Sequence, residues 1–156
     1  MSERETAPIG DAAALRALVG APPRVSGWRE VFDASVHGFA DATGDHQWIH
    51  VDAERARRES PFGGPVAHGF LTLSLIPALL AQAVPIQQRM GVNYGLNRVR
   101  FTAPVPVGAR VRARFDVADV SDADDGGVQV QWNVTLEQDG SERPACVAQF
   151  LTRHYF

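Results

Sequence analysis

The chain has 156 residues, of which 45% are hydrophobic, and this length and composition suit one domain with a sizeable core. Its formal net charge of -3 and the scatter of its arginines argue against a nucleic-acid partner. One cysteine, Cys146, excludes an intramolecular disulfide, and we see neither an apolar signal segment nor a membrane-spanning stretch. We therefore expect a cytoplasmic protein that has no membrane partner.

Residues 1–27 are predicted to form an N-terminal helical arm that packs on the domain. Within it, residues 11–19 are rich in alanine and leucine and predict a short helix, which Gly20 and the prolines at 22 and 23 end. Residues 28–156 are predicted to form the single domain, and residues 28–31 its first strand.

A short helix is predicted next, and it leads into two residues that can carry acid/base chemistry. The helical spacing i, i+3, i+4, i+7 is occupied by Val36, Phe39, Ala40 and Thr43. Asp33 or Ser35 can cap this helix, and Gly44 suits the left-handed residue that ends it. Asp45 therefore leaves on a sharp turn, with His50 five residues later. A carboxylate and an imidazole at this spacing can converge on one water molecule, which is a general acid/base arrangement.

Two further helices are predicted between residues 52 and 83. Asp52 can cap a helix over residues 53–59, whose arginines at 55, 57 and 58 we expect to face solvent. Residues 66–83 are apolar almost all round, so a helix there has to be buried. Pro77 removes one of its hydrogen bonds and should bend it or mark a change of direction.

Beyond Pro85 the pattern changes to strands. In four stretches a mostly apolar residue occupies every second position: Val92, Tyr94 and Leu96; Val111, Ala113, Phe115 and Val117; Val128, Val130, Trp132, Val134 and Leu136; and, less cleanly, Ala145, Val147, Gln149 and Leu151. Alternation of this kind indicates an antiparallel sheet with one face covered by an apolar element. The buried helix is that element, so the pattern predicts an α+β fold with one helix against a curved antiparallel sheet.

Residues 44–50 read Gly-Asp-His-Gln-Trp-Ile-His. This segment resembles the signature Gly-Asp-x-Asn-Pro-hydrophobic-His of the (R)-specific enoyl-CoA hydratases, also called MaoC-like dehydratases. The likeness continues through Pro-Phe-Gly-Gly-Pro-Val-Ala-His-Gly-Phe at 61–70 and through residues 93–101 and 104–108, so it covers roughly 28–155. Gln47 and Trp48 replace the usual Asn and Pro, as in a single-module bacterial subgroup of that family.

The resemblance implies a hot-dog fold, in which the sheet wraps a long central helix, and a homodimer in which two such units join their sheets. It also implies reversible hydration of a trans-2-enoyl thioester to an (R)-3-hydroxyacyl thioester. His50 is assigned as the base that takes a proton from water, and Asp45 as the carboxyl that holds the water and helps deliver a proton. These two roles remain interchangeable. Gly69, at the opening of the central helix, can present its N–H to the thioester oxygen.

Four other residues are candidates for contact with the substrate. Gln47 either orients the water or makes a loop hydrogen bond, and Trp48 either covers the site or stacks on the substrate. His68 either contacts the substrate or stabilises the start of the central helix. Phe70 belongs to the acyl-binding set, and packing around it, Trp48 and Leu73 decides the depth of the tunnel.

The substrate is expected to be an acyl-CoA or acyl-carrier-protein thioester, and no cofactor is expected. Arginines at 89, 98 and 100, and those of the helix over 53–59, are either solvated or meet CoA phosphates. The five histidines fit no zinc spacing, so no metal is expected, and no nucleotide-binding glycine motif is present in the sequence.

Three alternatives to the hydratase function stay open: a hot-dog acyl thioesterase, a carrier-protein-linked dehydratase of a biosynthetic pathway, and a non-catalytic acyl-thioester-binding subunit. Cys146 is interpreted as a buried structural thiol.

Overall fold

The computed structural model of the protein describes residues 7–156. Its helices are α1 (Ala12–Arg16), α2 (Asp33–Thr43), α3 (Trp48–Val51), α4 (Ala53–Glu59), α5 (Gly69–Ser74) and α6 (Ile76–Ala83). Its strands are β1 (Arg24–Val25), β2 (Arg29–Glu30), β3 (Met90–Phe101), β4 (Arg110–Asp122), β5 (Val128–Gln138) and β6 (Cys146–Tyr155). None of these helices, within residues 7–156, is long and apolar enough to cross a bilayer.

The six strands form one antiparallel sheet in the order β1-β4-β5-β6-β3, with β2 also pairing with β4. Register is set by the apolar alternation of the central strands, because a slip of one residue would turn every core side chain outward. Phe115 of β4 lies opposite Val134 of β5, and Trp132 of β5 lies opposite Phe150 of β6. The α+β class predicted from this alternation is confirmed.

The core lies between the sheet and the central helix. Every second residue of β5 from Val128 to Leu136 is buried, as predicted, and so are Val111, Ala113 and Phe115 of β4. The central helix consists of two consecutive segments, α5 and α6, which meet at Leu75. Pro77 lies in the first turn of α6, where its missing N–H costs no intrahelical bond, and the division between the two segments falls two residues before the proline. The helix begins at Gly69, the residue predicted to stand at its opening, three residues after the start of the apolar run.

Two predictions about the strands need correction. On β6 the buried residues are Cys146, Ala148, Phe150, Thr152 and His154, so Val147, Gln149 and Leu151 point the other way. Polar Thr152 and His154 are buried because they bond to each other, and their polarity reversed the apparent phase. On β3, Val92, Tyr94 and Leu96 are exposed, because β3 is an edge strand and no element of the described chain covers that face.

The segment before the domain joins the sheet. Leu15 of α1 is fully buried, β1 pairs with β4, and Ile9 forms a bridge with Ile86. The first six residues of the predicted arm lie outside the described residues, and the boundary between residues 27 and 28 stays a prediction. Cys146 is buried as expected, and burial raises the pKa of its thiol to about 11, so it stays protonated at neutral pH.

Candidate active site

Residues 44–47 connect α2 to the one-turn helix α3, which carries His50. Helix α2 ends as predicted at Gly44, whose φ of +81° is a left-handed conformation that glycine adopts without strain. Its N-terminal cap was predicted wrongly, since the capping position is Phe32, one residue before Asp33. Asp45 is exposed, and its Oδ1 accepts a long hydrogen bond of 3.4 Å from the Gln47 N–H. The carboxylate therefore emerges beside the start of α3.

His50 lies on α3 and is 8% exposed. Its Nδ1 is 2.7 Å from the main-chain oxygen of Val66. A carbonyl oxygen only accepts, so Nδ1 carries the hydrogen and the neutral ring keeps a lone pair on Nε2. The position of Val66 is fixed in return, because its N–H donates to the carbonyl of Ile49, at 3.0 Å. His50 is thus held as a base whose Nε2 has no hydrogen-bond partner among residues 7–156.

His68 occupies the residue before α5 and is 2% exposed. Its Nε2 is 2.9 Å from the main-chain oxygen of Asp45, so Nε2 carries the hydrogen of this ring. The ring stacks on that of His50, with 3.8 Å between centroids and 27° between planes. His68 therefore touches both members of the predicted acid/base pair, which sequence reasoning did not foresee.

One carboxylate oxygen of Asp45 and one ring nitrogen each of His50 and His68 lie within 4.8 Å of one another. A water molecule that makes two hydrogen bonds of about 2.8 Å can bridge groups at this separation. A shared metal ion fits less well, because an ion lies in the plane of each imidazole that binds it and these two rings are stacked. The arrangement suits a bound water that is flanked by a carboxylate and a neutral imidazole.

The electrostatics of His50 favour the neutral base. Burial is the main reason that the pKa of His50 is lowered from its ordinary value, and the neighbouring His68 acts in the same direction. The hydrogen bond to Val66 and the charge of Asp45 oppose this shift without cancelling it. His50 is consequently able to accept a proton at neutral pH.

A cavity of about 330 Å³ opens beside His50. Its wall is largely apolar and includes Phe62, Val66, Thr72, Phe101 and Val105. Gly69 also lines it, and the first N–H groups of a helix have no partner within that helix. A side-chain carbon at position 69 would lie 2.8 Å from Cδ2 of Phe101, so only glycine lets this ring approach. The cavity offers room for an acyl chain next to the base.

The other predicted substrate-binding residues lie at the margin. Gln47 is exposed, and Trp48 is half-buried with the guanidinium of Arg55 4.3 Å from the centre of its ring. Phe70 is 66% exposed and packs edge-on against Phe101 at 5.7 Å. None of these three lines the cavity in the described chain. Phe62 and Phe101 do line it; sequence reasoning missed them because an exposed aromatic residue gives no periodic signal.

Charged side chains near the site are mostly paired. Arg55 binds Glu59 and Arg58 binds Glu54, each across one helical turn of α4, as expected for a solvated face. His46 lies 2.8 Å from Asp41, and this contact raises its pKa. Neither Arg55 nor Arg58 is therefore a free cation in this structure.

The sequence model of the MaoC-like domain matches residues 15–138. The chain belongs to the MaoC-like family. Its relatives include the 3-hydroxyacyl-thioester dehydratase Z of Mycobacterium tuberculosis, 49% identical over 143 residues, which are 91% of this chain and 94% of that protein. Nodulation protein N of Rhizobium meliloti is 44% identical over 139 residues, 88% and 86% of the two chains.

Among solved structures, an (R)-hydratase from A. caviae, described as involved in PHA biosynthesis, superposes with a TM-score of 0.63 at 24% identity. The match covers 83% of this chain and 92% of that one, and it shows a shared fold. The MaoC-like family, the hot-dog fold and the enzyme class of hydratase or dehydratase, all predicted from the sequence, are confirmed.

Proposed function

We propose that this MaoC-like protein adds water reversibly to a trans-2-enoyl thioester and forms an (R)-3-hydroxyacyl thioester. The observation that carries the proposal is that a carboxylate oxygen of Asp45 and a ring nitrogen of His50 lie within 4.8 Å of each other, on a ring whose Nδ1 is bound to Val66 so that Nε2 can accept a proton. This pair stands beside an apolar cavity, as a fatty acyl chain requires.

Hydration needs a base, a route for a proton to the α carbon and a partner for the thioester oxygen. Nε2 of His50 takes one proton from the water as the water oxygen bonds to the β carbon. That proton reaches the α carbon with the help of Asp45, so the two hydrogens of water end on the new hydroxyl and on the α carbon. The site returns to its starting state, and the same steps in reverse dehydrate the hydroxyacyl thioester.

The N–H of Gly69 is the proposed donor to the thioester oxygen, on which charge develops in the enolate. Support comes from its place in the cavity wall and at the first residue of α5. Loss of one such donor costs about 3 kcal/mol of transition-state stabilisation. The substrate is a 3-hydroxyacyl or enoyl thioester, and the name of the mycobacterial relative includes a 3-hydroxyacyl thioester. Its carrier is proposed to be CoA or an acyl carrier protein.

The working unit is proposed to be a homodimer in the cytoplasm. β3 is an edge strand of 12 residues, and large apolar side chains are exposed along it: Met90, Val92, Tyr94, Leu96 and Phe101. An uncovered edge of this kind favours pairing with another chain. Leu96→Asp should then give a monomer in sedimentation, whereas Val25→Asp on the opposite edge should not. A reduced, buried Cys146 suits the cytoplasm.

The test of the reaction follows the loss of enoyl-thioester absorbance with crotonyl-CoA and with a longer trans-2-enoyl-CoA. Asp45→Asn and His50→Gln should each lower turnover by a factor of about a hundred or more, as expected when a general acid or base is removed. Asp41→Asn and His46→Gln are matched controls from the same segment, exposed and paired with each other. They should keep the native rate.

Two results would overturn the proposal. Release of free CoA thiol without hydration would identify a thioesterase. If the enoyl-thioester absorbance fell at the same rate in the control variants and in the Asp45 and His50 variants, this pair would be excluded as the acid and base.

A further inference from the structure

We propose that His68 is a positioning residue, which sets Asp45 and His50 relative to each other from the start of the central helix. This inference rests on the proposed hydration reaction and assigns a role in it to a side chain that contacts neither water nor acyl chain in that mechanism.

Asp45 has weak tethers of its own. Its N–H lies 3.5 Å from the hydroxyl of Thr43, and its carboxylate accepts from Gln47 at 3.4 Å, both at the long limit of a hydrogen bond. The bond from Nε2 of His68 to the Asp45 carbonyl is 2.9 Å and comes from a buried ring. His68 therefore supplies the shortest of these restraints on an otherwise exposed residue.

The ring of His68 is itself fixed by the elements that flank the site. It packs against Phe39 of α2, with 4.9 Å between ring centres, and stacks on His50 of α3 at 3.8 Å. Its main-chain carbonyl accepts from the N–H groups of Leu71 and Thr72 in the first turn of α5. One residue thus connects α2, the loop after it and α3 through its side chain, and the central helix through its main chain.

The unused nitrogen of His68 supports a role beyond helix capping. Nδ1 is buried and has no hydrogen-bond partner among residues 7–156, and His68 makes no side-chain capping bond to α5. If the residue served only to start the helix, a Ser, Thr or Asp would satisfy a first-turn N–H instead. What the imidazole provides here is a flat ring for His50 together with one N–H for the Asp45 carbonyl.

Two substitutions separate these contributions. His68→Phe keeps a flat ring that can stack on His50 and loses the N–H, and His68→Gln keeps an N–H donor and loses the ring. We expect kcat for enoyl-CoA hydration to fall by about a hundredfold in His68→Phe, since a displacement of about 1 Å at a reacting group costs that much. KM should stay within about threefold, because in the described chain His68 does not line the cavity. His68→Gln should recover part of kcat by restoring the bond to Asp45.

His154→Gln is the control, because His154 is also buried but lies on β6, away from the cavity. It should lose stability and keep kcat per folded molecule. Native turnover together with an unchanged kcat in His68→Phe would overturn the role of His68 alone. No turnover by the native chain on either enoyl-CoA would instead overturn the proposed function.

A measurement on the native chain decides the matter if both His68 variants fail to fold. The ¹⁵N NMR shifts of the imidazoles report which nitrogen carries the hydrogen. The proposal requires that Nε2 of His68 carries a hydrogen and that His50 is neutral with its hydrogen on Nδ1. The opposite tautomer of His68 would break the contact with Asp45 and overturn the proposal.

Discussion

Acidification should destabilise this protein through His154, which lies at the end of a chain of buried hydrogen bonds. Trp132 donates to the hydroxyl of Thr152 at 2.8 Å, and that hydroxyl is 2.7 Å from Nε2 of His154. Nδ1 of His154 is 2.6 Å from the side-chain oxygen of Gln88, so Nδ1 carries the hydrogen and Nε2 accepts from Thr152. A proton on Nε2 would face the Thr152 hydrogen.

The magnitude follows from the shift in the pKa of this group. Burial lowers the pKa of His154 from 6.5 to about 4. Above the pKa that His154 has in the unfolded chain, the imidazole is neutral in both the folded and the unfolded chain. As the pH falls below that pKa, the unfolded chain binds a proton that the folded chain does not bind, so stability is lost. Between about pH 7 and about pH 5 the loss amounts to about 2 kcal/mol, at about 1.4 kcal/mol per pKa unit.

The assay is urea unfolding at both pH values and at one protein concentration. The free energy of unfolding of His154→Gln should be lower at neutral pH but should fall by about 2 kcal/mol less on acidification. Phe150→Leu, at a buried position of β6 that has no titratable group, should lower the free energy of unfolding by about the same amount at both pH values. An equal loss in the native chain and in His154→Gln would refute the reasoning, since His154 would then titrate as an exposed imidazole.

Three further outcomes are expected. The acid limb of kcat/KM should have its midpoint below 6.5, because burial lowers the pKa of His50 and the base must be neutral; a midpoint above 6.5 in the pH profile would contradict this. Gly69→Ala should destabilise the fold by about 1–3 kcal/mol in urea unfolding, because the added carbon meets Phe101, and Phe101→Leu should relieve part of that loss. Gly38→Ala, in the exposed middle of α2, should raise the free energy of unfolding by about 1 kcal/mol, because alanine favours a helix more than glycine does. Gly44→Ala should lower it by at least that amount, because position 44 has a positive φ. A change in the same direction in both variants would contradict the assignment of Gly38 to the helix interior and of Gly44 to its left-handed end.

Local pattern predicted most of the fold. The strict alternation along β4 and β5 follows from one buried and one solvated face, and it placed their core residues correctly. Gly44 ends α2 and Asp52 caps α4, with 2.9 Å from its Oδ1 to the N–H of Arg55, because such signals act within one turn of the chain. α3 was not predicted, since a single turn carries no periodicity.

The family signature predicted that Asp45 and His50 act as a pair, but their surroundings depend on residues that are distant in sequence. The tautomer of His50 is set by the Val66 carbonyl, 16 residues away, and the Asp45 loop is held by His68, 23 residues away. The cavity wall adds Phe101 from the end of β3. Such contacts follow from how elements pack, which no local spacing encodes.

The sequence by itself determined the α+β class, the family and the inward faces of β4 and β5, and it predicted the acid/base pair, because each depends on residues close together in the chain. The tertiary structure decided which nitrogen carries the hydrogen in His50, His68 and His154, that β3 is an edge which the described residues leave uncovered, and that His154 is buried with Thr152. The physical reason is common to these three. Burial and hydrogen-bond partners are properties of packed elements, and they arise only when segments far apart in the chain meet.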